Sequence, residues 1–367
     1  MKKKLSVLAF AGLGLLAACG GNSENEAEGT ANNSGTEANG LTVGLAMPTQ
    51  SSERWVRDGE NMAEQFEELG YEVEMQYGED DVQNQVSQIE NMITQEVDLL
   101  VIASIDGEAL TSVLEMAEAT DIPVIAYDRL IMNSEHVSYY ATFDNYEVGV
   151  QQGEYIESAL SLDEGEGPFN IELFGGSPDD NNAYFFWDGA MSVLEPYIEE
   201  GQLVVQSGQT DFEQASTMRW DASLAQERMD NILSANYSDE NLDVVYSPFD
   251  GISRGVISSL SSIGYGSDSQ PMPIITGQDA EEASVRAIIS GEQTMTIFKD
   301  TRALAEQAVN MGHAILNDEE PEVNDTETYD NNSKVVPAYL LEPISVDIDN
   351  YEEVLVETGY YSEEDLQ

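Results

Sequence analysis

The sequence predicts an α/β fold: two lobes, each a doubly wound parallel sheet. Three observations carry that prediction. From Leu41 onward, short apolar runs alternate with amphipathic stretches of helical period. The runs, such as LLVIA at 99–103 and PVIAY at 123–127, are apolar on successive residues, as strands covered on both faces must be. A chain of 367 residues, 41% of them hydrophobic, has material for about two domains, and its βα units exceed one comfortable sheet.

The elements follow in order. A strand over 41–46 (LTVGLA) precedes a turn proline. A helix over 52–69 places Trp55, Val56, Met62, Ala63, Phe66 and Leu69 on one stripe and stops at Gly70. Residues 72–77 alternate as a strand does, and 82–94 bring Val86, Ile89 and Ile93 into helical register. A strand over 99–103, a helix over 109–119 and a strand over 123–127 complete the first series. The second series reads as a helix over 148–160, a strand over 169–174, a helix over 183–194 and a strand over 203–206. It continues with a long helix over 216–233, a strand over 243–246, a helix over 252–263 and a strand over 272–276. A shorter third series has a helix over 280–290, a strand over 294–298 and a helix over 302–316. A polar stretch over 317–333 precedes a final strand over 335–341.

Composition removes several functions. With 13 Lys+Arg against 71 Asp+Glu, the net charge of -58 argues against nucleic acid, whose phosphates need clustered cations. It equally disfavours docking on anionic lipid through a basic face. The single cysteine, Cys19, permits no internal disulfide and no cysteine-based zinc site. The two histidines, His136 and His313, read as structural or surface residues, and no metal or cofactor is expected.

The N-terminus reads as an export signal. Lys2, Lys3 and Lys4 precede an apolar run over 5–18 that is short for a membrane span. The run ends in Leu16-Ala17-Ala18-Cys19, which resembles the bacterial lipobox, so residues 1–18 are expected to be removed and Cys19 to carry lipid. Residues 20–40 hold no large apolar side chain and read as a disordered tether with a reach of roughly 25 Å. The folded part is therefore expected outside the cytoplasm, anchored to the membrane but not embedded in it.

In open α/β sheets ligands bind at the carboxyl ends of strands, so the residues just after each apolar run matter most. Those positions hold Arg54 and Trp55, Asp128 and Arg129, Asp179 to Asn182, Phe249 and Asp250, Gln278 and Asp279, and Lys299. Trp220 falls within the predicted long helix. Carboxylates, amides, guanidinium and ammonium groups suit hydroxyls that both donate and accept, and aromatic faces suit the C–H faces of a pyranose. A nucleotide does not suit this set: no G-x-G-x-x-G follows a strand and no P-loop occurs, so Gly175-Gly176 reads as turn chemistry. Adjacent acids such as Asp179/Asp180 or Asp80/Asp81 are no evidence of a catalytic pair in so acidic a chain.

At these strand ends the sequence closely resembles the periplasmic sugar-binding proteins of ABC importers, the type 1 ribose/galactose/xylose superfamily. It is most similar to the multiple-monosaccharide and xylose-binding branch. The stretches are SSERWVRDGENM (51–62), NQVSQIENMITQ (84–95), VIAYDRLI (124–131), YYATFDNYEVGV (139–150), ELFGGSPDDNNA (172–183), ITGQDAE (275–281) and TMTIFKD (294–300). The resemblance implies the type 1 periplasmic binding protein fold, two lobes joined by a three-crossover hinge that close over one sugar. It implies an N-terminal lobe of 41–143 plus 280–317 and a C-terminal lobe of 144–279 plus 335–367. It also implies a monomer that performs no chemistry and delivers a monosaccharide to an ABC permease and its ATPase. A chemoreceptor or sensor kinase is the alternative partner, and a glycosidase a more distant reading. Carried onto this sequence, Arg54 donates to hydroxyls beside Trp55, and Asp128 accepts beside Arg129. Asp180 and Asn182 reach from the opposite lobe, Trp220 stacks on the ring, and Asp279 and Lys299 complete the set. Asp250 matches an aspartate of the ribose and galactose binders. Phe249 before it stands where the xylose binder has an asparagine, which argues against strict pentose specificity. No galactose-binder calcium loop is evident. A DNA-binding regulator with the same lobes would carry a headpiece where the signal and tether lie here.

Overall fold

The computed structural model describes residues 40–367, so Cys19, the signal segment and the tether up to residue 39 lie outside the described residues. The first sheet has six parallel strands in the order Ala338–Leu341, Tyr139–Phe143, Val124–Tyr127, Leu99–Ile102, Thr42–Met47, Glu72–Tyr77. Leu99–Ile102 and Val124–Tyr127 are buried at every residue and lie inside the sheet, whereas half-exposed Glu72–Tyr77 forms its edge. The helices Glu53–Glu68 and Thr301–Leu316 cover one face of this sheet. Val82–Thr94 and Thr111–Ala119 cover the other. The two-lobed α/β class is the one the alternation predicts.

The second sheet runs Leu203–Val204, Phe169–Leu173, Val244–Tyr246, Ile274–Ile275, again all parallel. The helices Asn145–Leu160 and Asn182–Glu200 pack on each other with their backbones nearly touching. A Cβ on Gly149 would lie 2.0 Å from the carbonyl oxygen of Phe186, and one on Gly189 would lie 2.1 Å from that of Tyr146. Only glycine allows that approach. Among the described residues no helix is long and apolar enough to cross a membrane.

Several sequence-based boundaries need correction. Residues 139–143 form a strand that the sequence left unassigned; it pairs on one side with the preceding strand Val124–Tyr127 and on the other with Ala338–Leu341, remote in the chain. The final strand, Ala338–Leu341, pairs with Tyr139–Phe143 and so belongs to the first lobe, not the second. Conversely, residues 280–298 stay with the second lobe. Ile297 bridges to Gln278 beside that sheet, and Val285 and Phe298 pack in one cluster with Val346, Leu355 and Tyr361. Strand Met295–Phe298 also pairs antiparallel with Ile344–Asp347, a strand not foreseen. The predicted helix over 216–233 is broken. A short helix Phe212–Ala215 and a 3₁₀ turn Met218–Trp220 precede Ala222–Asn236, whose first turn Asp221 caps through Oδ1 to the amides of Ser223 and Leu224. The chain passes between lobes after Phe143, after Phe298 and after Leu341, and the first and third passages touch through Asp144 N–H to Leu341 O at 2.9 Å.

Candidate functional site

A cavity of about 550 Å³ lies where both lobes and the crossovers meet. Nine of the ten residues singled out from sequence line it: Arg54, Trp55, Asp128, Arg129, Asp180, Asn182, Trp220, Asp279 and Lys299.

Arg54 stands in the first turn of the helix Glu53–Glu68. Its Nη2 donates to Asp128 Oδ2, and its Nη1 donates to Asp279 Oδ1 at 3.2 Å. Burial alone would lower its pKa, but Asp128, Asp279 and Asp58 outweigh burial and raise it well above the usual range. Asp128 follows the strand Val124–Tyr127 with a left-handed backbone, φ 58°. Three donors hold its carbonyl in that conformation: Tyr140 Oη at 2.6 Å, Thr142 Oγ1 at 3.0 Å and Asn182 Nδ2 at 2.6 Å. The last of these comes from the other lobe. Burial pushes the Asp128 carboxyl up, yet Arg54 and Lys299 overcome burial and hold it below the ordinary value.

A second ion pair spans the two lobes. Arg129 Nε lies 3.0 Å from Asp180 Oδ2, and its Nη1 donates to the carbonyl of Ser104 at 3.0 Å. Burial pushes Asp180 up despite Arg129 and the Asn182 amide, which donates to Oδ1 at 3.0 Å. Trp55 lies between two guanidinium groups, 4.8 Å from Arg54 Cζ and 5.0 Å from Arg129 Cζ. At the crossover, Lys299 Nζ sits 3.1 Å from Asp279 Oδ1 and 3.8 Å from Asp128 Oδ2.

Trp220 reaches the cavity from the 3₁₀ turn, not from a long helix. Arg219 and Trp220 both have left-handed backbones, φ 58° and 57°. The indole lies on Gly176, where a Cβ would come within 2.0 Å of the ring. Its Nε1 donates to Asp180 Oδ2 at 3.3 Å, and Phe186 and Phe249 meet it edge-on at 6.1 and 5.8 Å. Gly176 thus serves as the bed of an aromatic platform, beyond the turn role read from sequence.

Asp250 is the exception. It is fully buried and does not line the cavity. Its Oδ1 accepts from Gln293 Nε2 at 2.8 Å and Thr296 Oγ1 at 3.0 Å, and its Oδ2 accepts from the amide of Glu281 at 2.9 Å. The carboxylate ties the start of its helix to residues 281–296 of the same lobe instead of facing a ligand. Burial, reinforced by Glu281, pushes its pKa up to about 8. Sequence reasoning passed over Phe186 and Arg219, which also line the cavity, as does Gln278, a strand-end position that was not among the ten. Phe186 lies four residues after Asn182, one helical turn on, and Gln278 stands within the quoted GQD run, so both carried a signal. Arg219 carried none; its Nη1 donates across the mouth of the cavity to the carbonyl of Asp80 at 2.5 Å.

Among the described residues no cluster of histidine, cysteine or carboxylate groups could hold a metal. His313 Nδ1 meets Tyr71 Oη at 2.7 Å, and His136 Nδ1 lies 3.2 Å from Glu118 Oε2, so both histidines have local partners away from the cavity. Asp128, Asp180 and Asp279 at the cavity each have a cationic partner, so carboxylate acceptors and cationic donors stand side by side. An aromatic face closes one side. The arrangement suits an uncharged, polyhydroxylated ring.

The periplasmic binding protein domain family matches residues 43–320. The chain is 60% identical to the multiple sugar-binding periplasmic protein SbpA of Azospirillum brasilense, covering 88% of this chain and 90% of the relative. It is 58% identical to the multiple sugar-binding periplasmic receptor ChvE of Rhizobium radiobacter, covering 89% and 92%. It is also similar to the crystal structure of an ABC transporter solute-binding protein from Clostridium phytofermentans with bound β-D-glucose. That likeness has a TM-score of 0.86 at 52% identity and covers 89% of this chain and all of the other.

Proposed function

The chain belongs to the periplasmic binding protein family, and from that premise we propose that it is an extracytoplasmic monosaccharide receptor. It captures one aldose by hinge closure and delivers it to an ABC permease, tethered to the membrane through lipid on Cys19. The observation that carries the reading is the cavity between the lobes. Lobe one supplies Arg54 and Asp128, lobe two supplies Asp180, Asn182, Asp279 and the Trp220 face, and the crossover after Phe298 supplies Lys299. A ring held from both sides in this way favours the closed state over the open one, which is the differential affinity that closure requires. A hexopyranose is the expected class, since the relative with 52% identity holds β-D-glucose and Phe249 replaces the asparagine of the pentose binder.

Thermal-shift screening against glucose, galactose, xylose, arabinose and ribose tests the substrate class. A sugar at one hundred times its Kd should stabilise the folded chain by about 2.7 kcal/mol. No shift with any aldose would remove the reading. Fractionation of cells carrying wild type or Cys19→Ala tests the anchor: the wild type should pellet with membranes and the variant should not, and equal distribution would discard the lipid.

The bed under Trp220 gives a sharper check. Gly176→Ala places a Cβ inside the indole's space, so the ring must move, and sugar affinity should fall about tenfold as the stacking face is lost. Gly175→Ala meets Phe212 at 3.1 Å instead and should change affinity far less. Titration calorimetry of both variants decides, and equal affinities would deny Trp220 its role as platform.

A further inference from the structure

The group beneath the cavity that sequence does not advertise is Asp58. It lies one turn after Arg54 on the helix Glu53–Glu68, is fully buried, and is not among the cavity-lining residues. Tyr127 Oη donates to its Oδ1, and its Oδ2 lies 3.2 Å from Arg54 Nε. One guanidinium therefore holds three carboxylates, Asp128 and Asp279 at the cavity and Asp58 behind it. Neither Arg54 Nε nor Asp58 Oδ2 has a hydrogen-bond partner. What joins them is charge, and a contact made by charge is lost when the carboxylate is protonated.

We propose that Asp58 is the positioning residue for Arg54: its ionised carboxylate fixes the guanidinium from behind in the sugar-binding orientation, and its protonation releases it and weakens sugar binding. This rests on the monosaccharide reading given above. Neutral Asp58 leaves the Nε side of the buried guanidinium without its countercharge and lets it turn further toward Asp128 and Asp279, where it saturates acceptors that the sugar needs.

The groups that face Asp58 come from every element around it. Arg54 is on its own helix, and Tyr127 and Asp128 are on the neighbouring strand and its end. Lys299 is at the crossover, Tyr77 is on the edge strand Glu72–Tyr77, and Tyr360 is near the C-terminus. Burial raises Tyr77, Tyr127 and Tyr360 above their usual range, Arg54 is raised, and Asp128 is held low. None of these five changes charge near neutrality. Burial pushes Asp58 up to about 7, against the pull of Arg54 and of the Tyr127 hydrogen bond.

Two readouts test the proposal. In the wild-type chain, D-glucose affinity should fall on the order of tenfold from pH 8.5 to 5.5, with an inflection near 7. Asp58→Asn should bind more weakly at pH 8.5 and show no such inflection. Tyr127→Phe removes a hydrogen bond that favours the carboxylate and should move the inflection to higher pH, which keeps the test open even where Asp58→Asn folds poorly. The second readout needs no sugar. Trp55 lies 4.8 Å from Arg54 Cζ, and Trp187→Phe with Trp220→Phe leaves it as the only tryptophan of three. Its fluorescence should titrate near pH 7 and lose that transition when Asp58→Asn is added. If Asp58→Asn keeps the wild-type pH profile in either readout, even with weaker binding, Asp58 is a packing residue and the proposal is overturned. If wild type binds no aldose at any pH, the receptor reading fails, while the Trp55 titration still decides the role of Asp58.

Discussion

Arg54→Ala abolishes measurable monosaccharide binding while the chain remains folded; this is the largest single-residue effect expected. The guanidinium is the hub of the site. Its removal strands Asp58, Asp128 and Asp279 together in a buried space, with Lys299 as the remaining cation near two of them. Truncating one partner of a buried, hydrogen-bonded charge pair costs about 2–5 kcal/mol. At about 1.4 kcal/mol per factor of ten, that is a loss of roughly 30-fold to several thousandfold in affinity. Asp279→Ala should also remove binding, by freeing Lys299 and one Arg54 nitrogen, though Asp128 still holds the guanidinium. The hydrophobic cores of both lobes contain neither residue, so circular dichroism should report a folded chain. Titration calorimetry beside that measurement decides, and near-native affinity in both variants would discard the site.

The rule that placed most of this site was the strand end of a parallel sheet. It located Asp128, which directly follows an apolar run, and Asp279 and Asp180, which lie three and six residues beyond one. The same rule failed at Asp250, because a strand end fixes a neighbourhood but not the direction of a side chain. Gly277, where a Cβ would come within 2.2 Å of Asp250 Oδ1, lets the carboxylate turn away from the cavity to Gln293 and Thr296. Asp58 was missed for a related reason: an acid four residues after an arginine reads as an exposed helical pair, and only the fold buries it. Trp220 was located, but its support was not, since a left-handed Arg219-Trp220 pair and its bed on Gly176 join segments forty residues apart. Lobe membership of 335–341 and 280–298 was equally illegible. Local pattern shows that a segment is a strand, and only pairing across the chain shows which sheet receives it.

Removal of residues 1–18 would take three lysines and no acid and would leave ten Lys+Arg against 71 Asp+Glu, a net charge of -61. The structure shows how the few cations are spent. Arg54, Arg129 and Lys299 are committed to the cavity, and Arg57, Arg219, Arg254, Arg286 and Arg302 each pair with an acid close by. Arg228 lies over Phe174 and donates to Gln209 and to the Leu173 carbonyl, away from the surface acids. Little positive charge remains to offset the other carboxylates, and their mutual repulsion penalises the compact state. The Debye length is about 30 Å at 0.01 M salt and about 3 Å at 1 M, so acids repel across a whole lobe in the first case and only between neighbours in the second. We therefore propose adaptation to high external salt, and the unfolding temperature should rise strongly between 0.01 and 1 M NaCl. Choline chloride should act similarly, because screening and not a sodium site is the cause. The buried ion pairs of the cavity are screened far less, so sugar affinity should change much less than stability over the same range. A flat or falling melting curve would remove the salt adaptation and leave the receptor assignment standing. A strong rise in NaCl without one in choline chloride would point to specific cation binding by the acidic surface.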